Sequence, residues 1–287
     1  RHPERVDRVR AVVSALRDFP GTELLPAPLA LEEQVCRAHS QEYWQMVNDL
    51  EPESGLAALD PDTFMCSGSV KASLRGSGAA CFAVDQVVGG NSRNAFCITR
   101  PPGHHSGGNF AMGFCLFNQV AVAARHALAV HNFERVSILD FDVHHGNGTQ
   151  AIFQDSPEVQ FISSHQMPLY PGTGRADETG CGNILNMPLA PGNGSSEFRA
   201  AWSELGLPAL HDFQPDLILI SAGFDAHQMD PLGQLELQDD DFGWITTEVR
   251  RYADEACGGR VISVLEGGYD LDALASASLA HVGALAS

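Results

Sequence analysis

The chain has 287 residues, 44% apolar and 18% charged, which excludes a disordered or collagen-like polymer and allows one large α/β domain or two small ones. Its formal charge of −19 disfavours DNA or an anionic membrane as a direct partner, because both would repel it. No stretch reaches membrane-span length, no signal-peptide pattern opens the chain, and the seven cysteines form no C-x-x-C pair, so reduced thiols in a cytoplasm are expected.

In chain order, a first helix is expected with Val6, Val9, Val13 and Leu16 along one face. The apolar run "AFCI" (95–98) reads as a strand and leads into "RPPGHHSGG" (100–108). A helix, "NQVAVAARHALAV" (118–130), precedes the strand "VSILDF" (136–141), which ends in D-V-H-H-G-N-G. The strand "VQFIS" (159–163) and the helix "SEFRAAWSEL" (196–205) come next. "DLILIS" (216–221) then ends in A-G-F-D-A-H, a helix runs through 240–256, and "RVISVLE" (260–266) ends in G-G-Y-D. The strands are unbroken apolar runs, as expected where helices cover both faces of a parallel sheet. Their alternation with helices implies an α/β three-layer αβα sandwich.

In such sheets ligands bind beyond the carboxyl ends of the strands, and the polar clusters fall there. Along an extended segment Asp140, Asp142 and His144 project to one side and His145 to the other. Charged and imidazole groups are costly to bury alone, and a metal ion explains their presence. Asp142 and His144 can converge on a zinc ion that keeps a position open, with a third ligand from elsewhere, and Asp225 stands at another strand end. His104 and His105 are neighbours, a poor zinc spacing that suits acid–base work better, and Asp140 could fix the tautomer of one of them. Tyr269 follows two glycines and could donate to an oxygen that becomes anionic.

"RPPGHH", "GFCLFN", "DFDVHHGNGTQAIF", "PGTG", "SAGFDAH" and "EGGYD" together resemble the histone deacetylase family, closest to its class II and bacterial histone-deacetylase-like amidohydrolase branch. The similarity runs over almost the whole chain and implies one catalytic domain over 1–287. The fold it implies is the arginase/deacetylase fold, with a mainly parallel sheet of about eight strands. The implied activity is hydrolysis of acyl-lysine or other acylamides. By position, Asp142, His144 and Asp225 match the ligands of one Zn2+, and His105 matches the general base and acid. His104 with Asp140 matches the electrostatic partner, and Tyr269 the phenol that polarises the scissile carbonyl. Asn147 resembles class II as a neutral partner of His105.

The resemblance also implies two structural K+ sites. One uses the side chains of Asp140 and Ser163 and the carbonyls of Asp142, His144 and Ser164; the other lies around Phe153, Ser156 and Val159. Gly113, Phe114, Tyr170, Leu232 and Gly268 fall where the family contacts substrate. Polyamine-preferring members carry glutamate at the position of Leu232, so an acyl-lysine or similar acylamide is expected ahead of acetylpolyamines. A non-catalytic acyl-lysine module and a binuclear manganese hydrolase are the other readings. The family opens with a strand and loop before its "HPERP"-like segment. This sequence starts at Arg1, so that strand and part of the rim are expected to be absent. No membrane or nucleic-acid partner is expected, and self-association stays open.

Overall fold

The computed structural model describes residues 2–287. Its ten α-helices, among the described residues, are α1 (Val6–Leu16), α2 (Glu32–Val35), α3 (Gln41–Asp49), α4 (Ser69–Val88), α5 (Gln119–His131), α6 (Asn147–Phe153), α7 (Ser195–Ala201), α8 (Leu207–Phe213), α9 (Asp239–Ala256) and α10 (Leu271–Ala286). A π-helical turn, Trp202–Gly206, joins α7 to α8, so the helix expected over 196–205 runs on to Phe213. The strands are β1 (Ala57–Ala58), β2 (Phe64–Met65), β3 (Asn94–Cys97), β4 (Val136–Asp140), β5 (Val159–Gln166), β6 (Ile184–Leu189), β7 (Leu217–Ala222) and β8 (Val261–Leu265).

Six of these form one all-parallel sheet in the order β3-β8-β7-β4-β5-β6. That is fewer than the eight or so expected. β1 and β2 are two residues each and pair only with one another, antiparallel, across the interrupting Asp60-Pro61-Asp62. Every residue of β4, β5, β7 and β8 is buried, which is why these segments read as unbroken apolar runs.

Successive residues serve opposite faces. Ile218 and Ile220 of β7 join Leu16, Trp202, Phe242 and Leu274 in one apolar cluster, whereas Leu217 and Leu219 join Val84, Val120 and Phe153 in another. α1, α7, α8, α9 and α10 therefore cover one face and α4, α5 and α6 the other. The first helix departs from expectation. Val6 is exposed, and the buried face is Arg8, Val12 and Leu16. Arginine at an inward position breaks the apolar stripe; it pairs with Glu4 one turn away and donates to carbonyls far along the chain. No helix among the described residues is long and apolar enough to cross a membrane.

The chain runs from β4 outward to β5 and β6, then returns to the other side of β4 as β7. This reversal opens a crevice at the carboxyl ends of β4 and β7, where ligands of doubly wound sheets bind. Asp140, the last residue of β4, lies in register between Ser163 of β5 and Ser221 of β7.

Away from that crevice, His281 of α10 is buried between the hydroxyls of Thr246 and Ser263, at 2.6 and 2.8 Å. Burial lowers its pKa from 6.5 to about 3. A histidine held neutral in the fold takes up its proton only on unfolding, so stability falls as pH drops below 6.5. The stability advantage of the wild type over His281→Gln is accordingly expected to shrink by about 2 kcal/mol between pH 7 and pH 5, as read from urea unfolding. A pH-independent difference would mean that His281 takes up its proton as readily in the folded protein as in the unfolded chain.

Candidate metal and catalytic centre

The segment after β4 leaves the strand geometry at Phe141 and bends through 142–144. Asp140 Oδ1 accepts the Asp142 N–H at 3.1 Å, and Asp142 Oδ1 accepts the His144 N–H at 2.9 Å. These local bonds turn Asp142 and His144 into the crevice, while His145 points away to Thr173 and Gln150, at 2.8 and 2.9 Å. Asp225 follows β7. His144 Nδ1 stands 3.1 Å from Asp142 Oδ1 and 3.1 Å from Asp225 Oδ2. All three residues expected as ligands thus come together, and their ligand atoms lie within 4.8 Å of one another.

Two glycines make this approach possible. A Cβ at Gly223 would stand 2.1 Å from Asp142 Oδ2, and one at Gly267 would stand 2.0 Å from Asp225 Oδ2. The Gly267 N–H donates to Asp142 Oδ2 at 2.8 Å, and the Val143 N–H donates to Asp225 Oδ1 at 2.9 Å.

The charges show what the cluster needs. Burial raises Asp225 to about 7, with the neighbouring Asp142 carboxylate adding to the rise. Burial acts the same way on Asp142, but His104 and His144 outweigh it and hold this carboxyl well below its usual range. His144 is lowered by burial yet lifted to about 10 by Asp142 and Asp225. Two buried carboxylates facing one imidazole are the donor set of a compact divalent-metal site, where a cation would offset the charge of both carboxylates.

His104 and His105, side by side, have opposite electrostatics. Both feel burial first. Asp140, Asp142 and Glu266 raise His104 well above 6.5 nonetheless, and its Nδ1 stands 2.9 Å from Asp140 Oδ2. His105 is pushed well below 6.5, with charge on His104 and His144 adding to the effect of burial. His105 Nδ1 meets Asn147 Oδ1 at 2.7 Å, while the Asn147 amide donates to Met112 Sδ. An amide oxygen only accepts, so Nδ1 carries the proton and Nε2 offers a lone pair.

Tyr269 follows Gly268, whose φ of 119° is open to glycine alone. Burial raises the phenol well above 10 against the pull of Arg8, and Asp225 and Asp142 add to the rise. It is therefore a hydrogen-bond donor at neutral pH. The Phe114 ring lies 6.1 Å from that of Tyr269, and the Tyr170 ring lies 5.3 Å from His105 and 6.2 Å from His144. Gly113 backs directly onto His105. The β1–β2 hairpin holds this wall, since Asp62 and Thr63 accept the N–H groups of Gly113 and Phe114, each at 3.1 Å. Leu232 is half-buried on the loop after Asp225.

Of the residues expected around potassium, Asp140 and Ser163 adjoin in register, and the Ser163 hydroxyl lies 2.9 Å from His165 Nδ1. The Ser164 hydroxyl accepts the Trp202 indole N–H at 3.0 Å. The carbonyls of Phe153, Ser156 and Val159 do converge, but on the amide nitrogen of Asn183, at 2.8, 3.0 and 2.7 Å.

Three site residues escaped the sequence reading. Glu266 is fully buried and accepts the N–H groups of Gly103 and His104 at 2.6 and 3.1 Å, fixing the histidine loop. Its position at an apolar strand end, like that of Asp140, could have shown it. Arg8 donates to the carbonyl of Gly268 at 2.6 Å and to that of Glu266, and lies over the Tyr269 ring at 4.7 Å. Asp230 reads as an ordinary turn aspartate in "DPLG" but is buried.

A second group of candidate ligands, Asp85, His126 and His131, lies between α4 and α5. Arg37, which can only donate, points Nη1 at His126 Nδ1, 2.9 Å away. The His126 proton is therefore on Nε2, facing Asp85 at 2.8 Å, and His131 Nε2 faces the same oxygen at 2.7 Å, so the group is a hydrogen-bond chain centred on that carboxylate.

A family model described as the histone deacetylase domain matches residues 2–285. The chain belongs to the histone deacetylase family. It is a deacetylase, a hydrolytic enzyme. It is 39% identical to histone deacetylase 14, chloroplastic, of Arabidopsis thaliana, across 96% of this chain and 70% of that protein. Identity to the histone deacetylase-like amidohydrolase of Pseudomonas aeruginosa is also 39%, across 93% of this chain and 71% of the relative. The crystal structure of the HDA15 HD domain superposes with a TM-score of 0.93 at 36% identity, covering 99% of this chain and 84% of that one. The deacetylase thus has the α/β fold of its family.

Because a methyl group at position 267 would collide with Asp225, Gly267→Ala is expected to drive the two carboxylates out of register. Metal content after dialysis, measured by mass spectrometry, should fall several-fold while circular dichroism keeps the native spectrum. Wild-type metal content would show that the carboxylates need not meet.

Proposed function

We propose that the deacetylase holds one zinc ion through Asp142, His144 and Asp225 and hydrolyses the acyl amide of lysine side chains or similar linear acylamides. What supports this most directly is His144 Nδ1 set 3.1 Å from a carboxylate on each side, with a free His105 imidazole and a Tyr269 phenol alongside. Zinc bound there would supply Lewis acidity toward the acyl oxygen and toward water.

The protein's own groups do the rest. His105 Nε2 takes the proton of the attacking water and later delivers it to the departing amine, with Asn147 fixing the tautomer. His104, paired with Asp140, stays cationic and keeps its neighbour neutral until that proton arrives. Tyr269 donates to the acyl oxygen as negative charge develops there, and it needs no reorganisation because its turn is fixed in advance. Phe114 and Tyr170, with Gly113 and Gly268 leaving room between larger side chains, flank the acyl chain. Leu232 offers a distal ammonium no charge, which favours acyl-lysine over acetylpolyamines. For potassium we propose the Asp140, Ser163 and Ser164 segment, where a monovalent ion would offset the carboxylate cluster. The carbonyls of Phe153, Ser156 and Val159 are answered by Asn183 and are not included.

The test is release of fluorophore from an acetyl-lysine peptide before and after chelation. Activity should vanish with the chelator and return with one equivalent of zinc; chelator-insensitive turnover would refute the reading. Tyr269→Phe should leave the fold intact and reduce kcat by roughly 10²–10³, the scale of one lost oxyanion donor. Leu232→Glu should raise the rate on acetylspermidine relative to the acetyl-lysine peptide. An unchanged ratio would remove Leu232 from substrate choice.

A further inference from the structure

Tyr269 is carried by a turn that has little stiffness of its own. Gly267 and Gly268 precede it, and glycine loses more backbone freedom on ordering than any other residue. The phenol's position therefore depends on what grips the turn from outside. Arg8 holds the carbonyls before it. The N–H groups after it are held by Asp230. Its Oδ2 accepts from Tyr269 at 2.6 Å and from Asp270 at 3.2 Å, while its Oδ1 accepts from Leu232 at 3.0 Å.

Asp230 is 6% exposed and, among the described residues, has no ion pair. A buried carboxylate answered only by main-chain N–H groups is a costly way to close a turn. What it achieves is a link between two separate segments. One carboxyl group joins the loop that presents Leu232 to the turn that presents Tyr269, although 39 residues separate Asp230 from Tyr269.

We propose that Asp230 is a positioning residue for the hydrolysis, fixing the Tyr269 phenol against the acyl oxygen and making the Leu232 rim and the phenol one rigid unit. The inference rests on the deacetylase reading of the site and deepens it. Asp230 touches no reacting atom and acts only through Tyr269.

Asp230→Asn separates this role from a general effect on folding. The amide keeps the shape but has one oxygen, so its NH2 must face either the Leu232 N–H or the Tyr269 and Asp270 pair. With zinc content unchanged, kcat on the acetyl-lysine peptide should fall about 10- to 100-fold while KM moves by less than about 3-fold. In a Tyr269→Phe background the same substitution should cost less than about 2-fold, because the phenol it positions is gone. An equal loss in both backgrounds would overturn the proposal.

A second measurement needs no turnover. With 3-fluorotyrosine at the four tyrosines, the resonance missing from Tyr269→Phe identifies residue 269. Asp230→Asn should shift or split that signal and leave Tyr43 and Tyr252 in place; an unmoved signal would overturn the proposal. In the unsubstituted chain the amides of Leu232, Tyr269 and Asp270 should be protected from hydrogen exchange, and fast exchange there would be equally fatal. Absence of turnover in the zinc-loaded wild type would count against the deacetylase reading alone, since the fluorine and exchange results stand without it.

Discussion

Two buried carboxylates and one largely buried imidazole share a crevice, and much of the surrounding structure follows from making that tolerable. Asp142 and Asp225 come from strands on the two sides of the topological reversal, which is the place where an αβα sheet opens at its carboxyl edge. Backbone N–H groups from Gly267 and Val143 supply part of the compensation, and glycine at 223 and 267 lets the main chain come close enough to give it. These donors are dipoles with no net charge to offer. A divalent cation would offset the remaining imbalance, and burial together with the Asp142 carboxylate raises the Asp225 carboxyl to about 7.

The neighbouring pair His104 and His105 shows how one local field shifts two like side chains in opposite directions. Their rings lie 4.1 Å apart, so they cannot both be charged cheaply. Asp140, Asp142 and Glu266 surround His104 and settle which one is. His105, given only the neutral Asn147, becomes the imidazole with an available lone pair. An aspartate at 147 would favour the protonated form of His105 and blur the division. The roles come from the side chain facing each ring rather than from the rings themselves.

Much of this was legible in the sequence, for a physical reason. Buried parallel strands need apolar residues on both faces, so β4, β7 and β8 announce themselves, and a polar residue at their ends stands out against that background. Asp140, Asp142, His144, Asp225 and Tyr269 were all found this way. The periphery was less readable. α4 is rich in small residues, and Gly78 on it lets the backbone of residues 28–30 pass where a Cβ would come within 2.3 Å of the Pro28 carbonyl, a contact no helical period encodes. β6, the edge strand of the six, carries Asn186 and Pro188 among its apolar residues and alternates too weakly to be recognised.

Arg8, Glu266 and Asp230 were hidden for another reason, which bears on how the site works. Each is an ionisable residue whose partners are mainly main-chain groups distant in sequence, so for Arg8 and Asp230 the neighbours in the chain give no sign of the task, and for Glu266 the end of an apolar strand is the one local sign. A side chain that touches substrate must be of one chemical type, and motif reasoning detects that type. A side chain that holds backbone need only be a donor fork or an acceptor pair at the right place. Arginine and carboxylates serve here because glycine-rich segments such as 266–268, which approach the Asp142 and Asp225 carboxylates closely, cannot hold themselves. The flexibility that lets backbone meet the carboxylates is the flexibility that these buried charges remove.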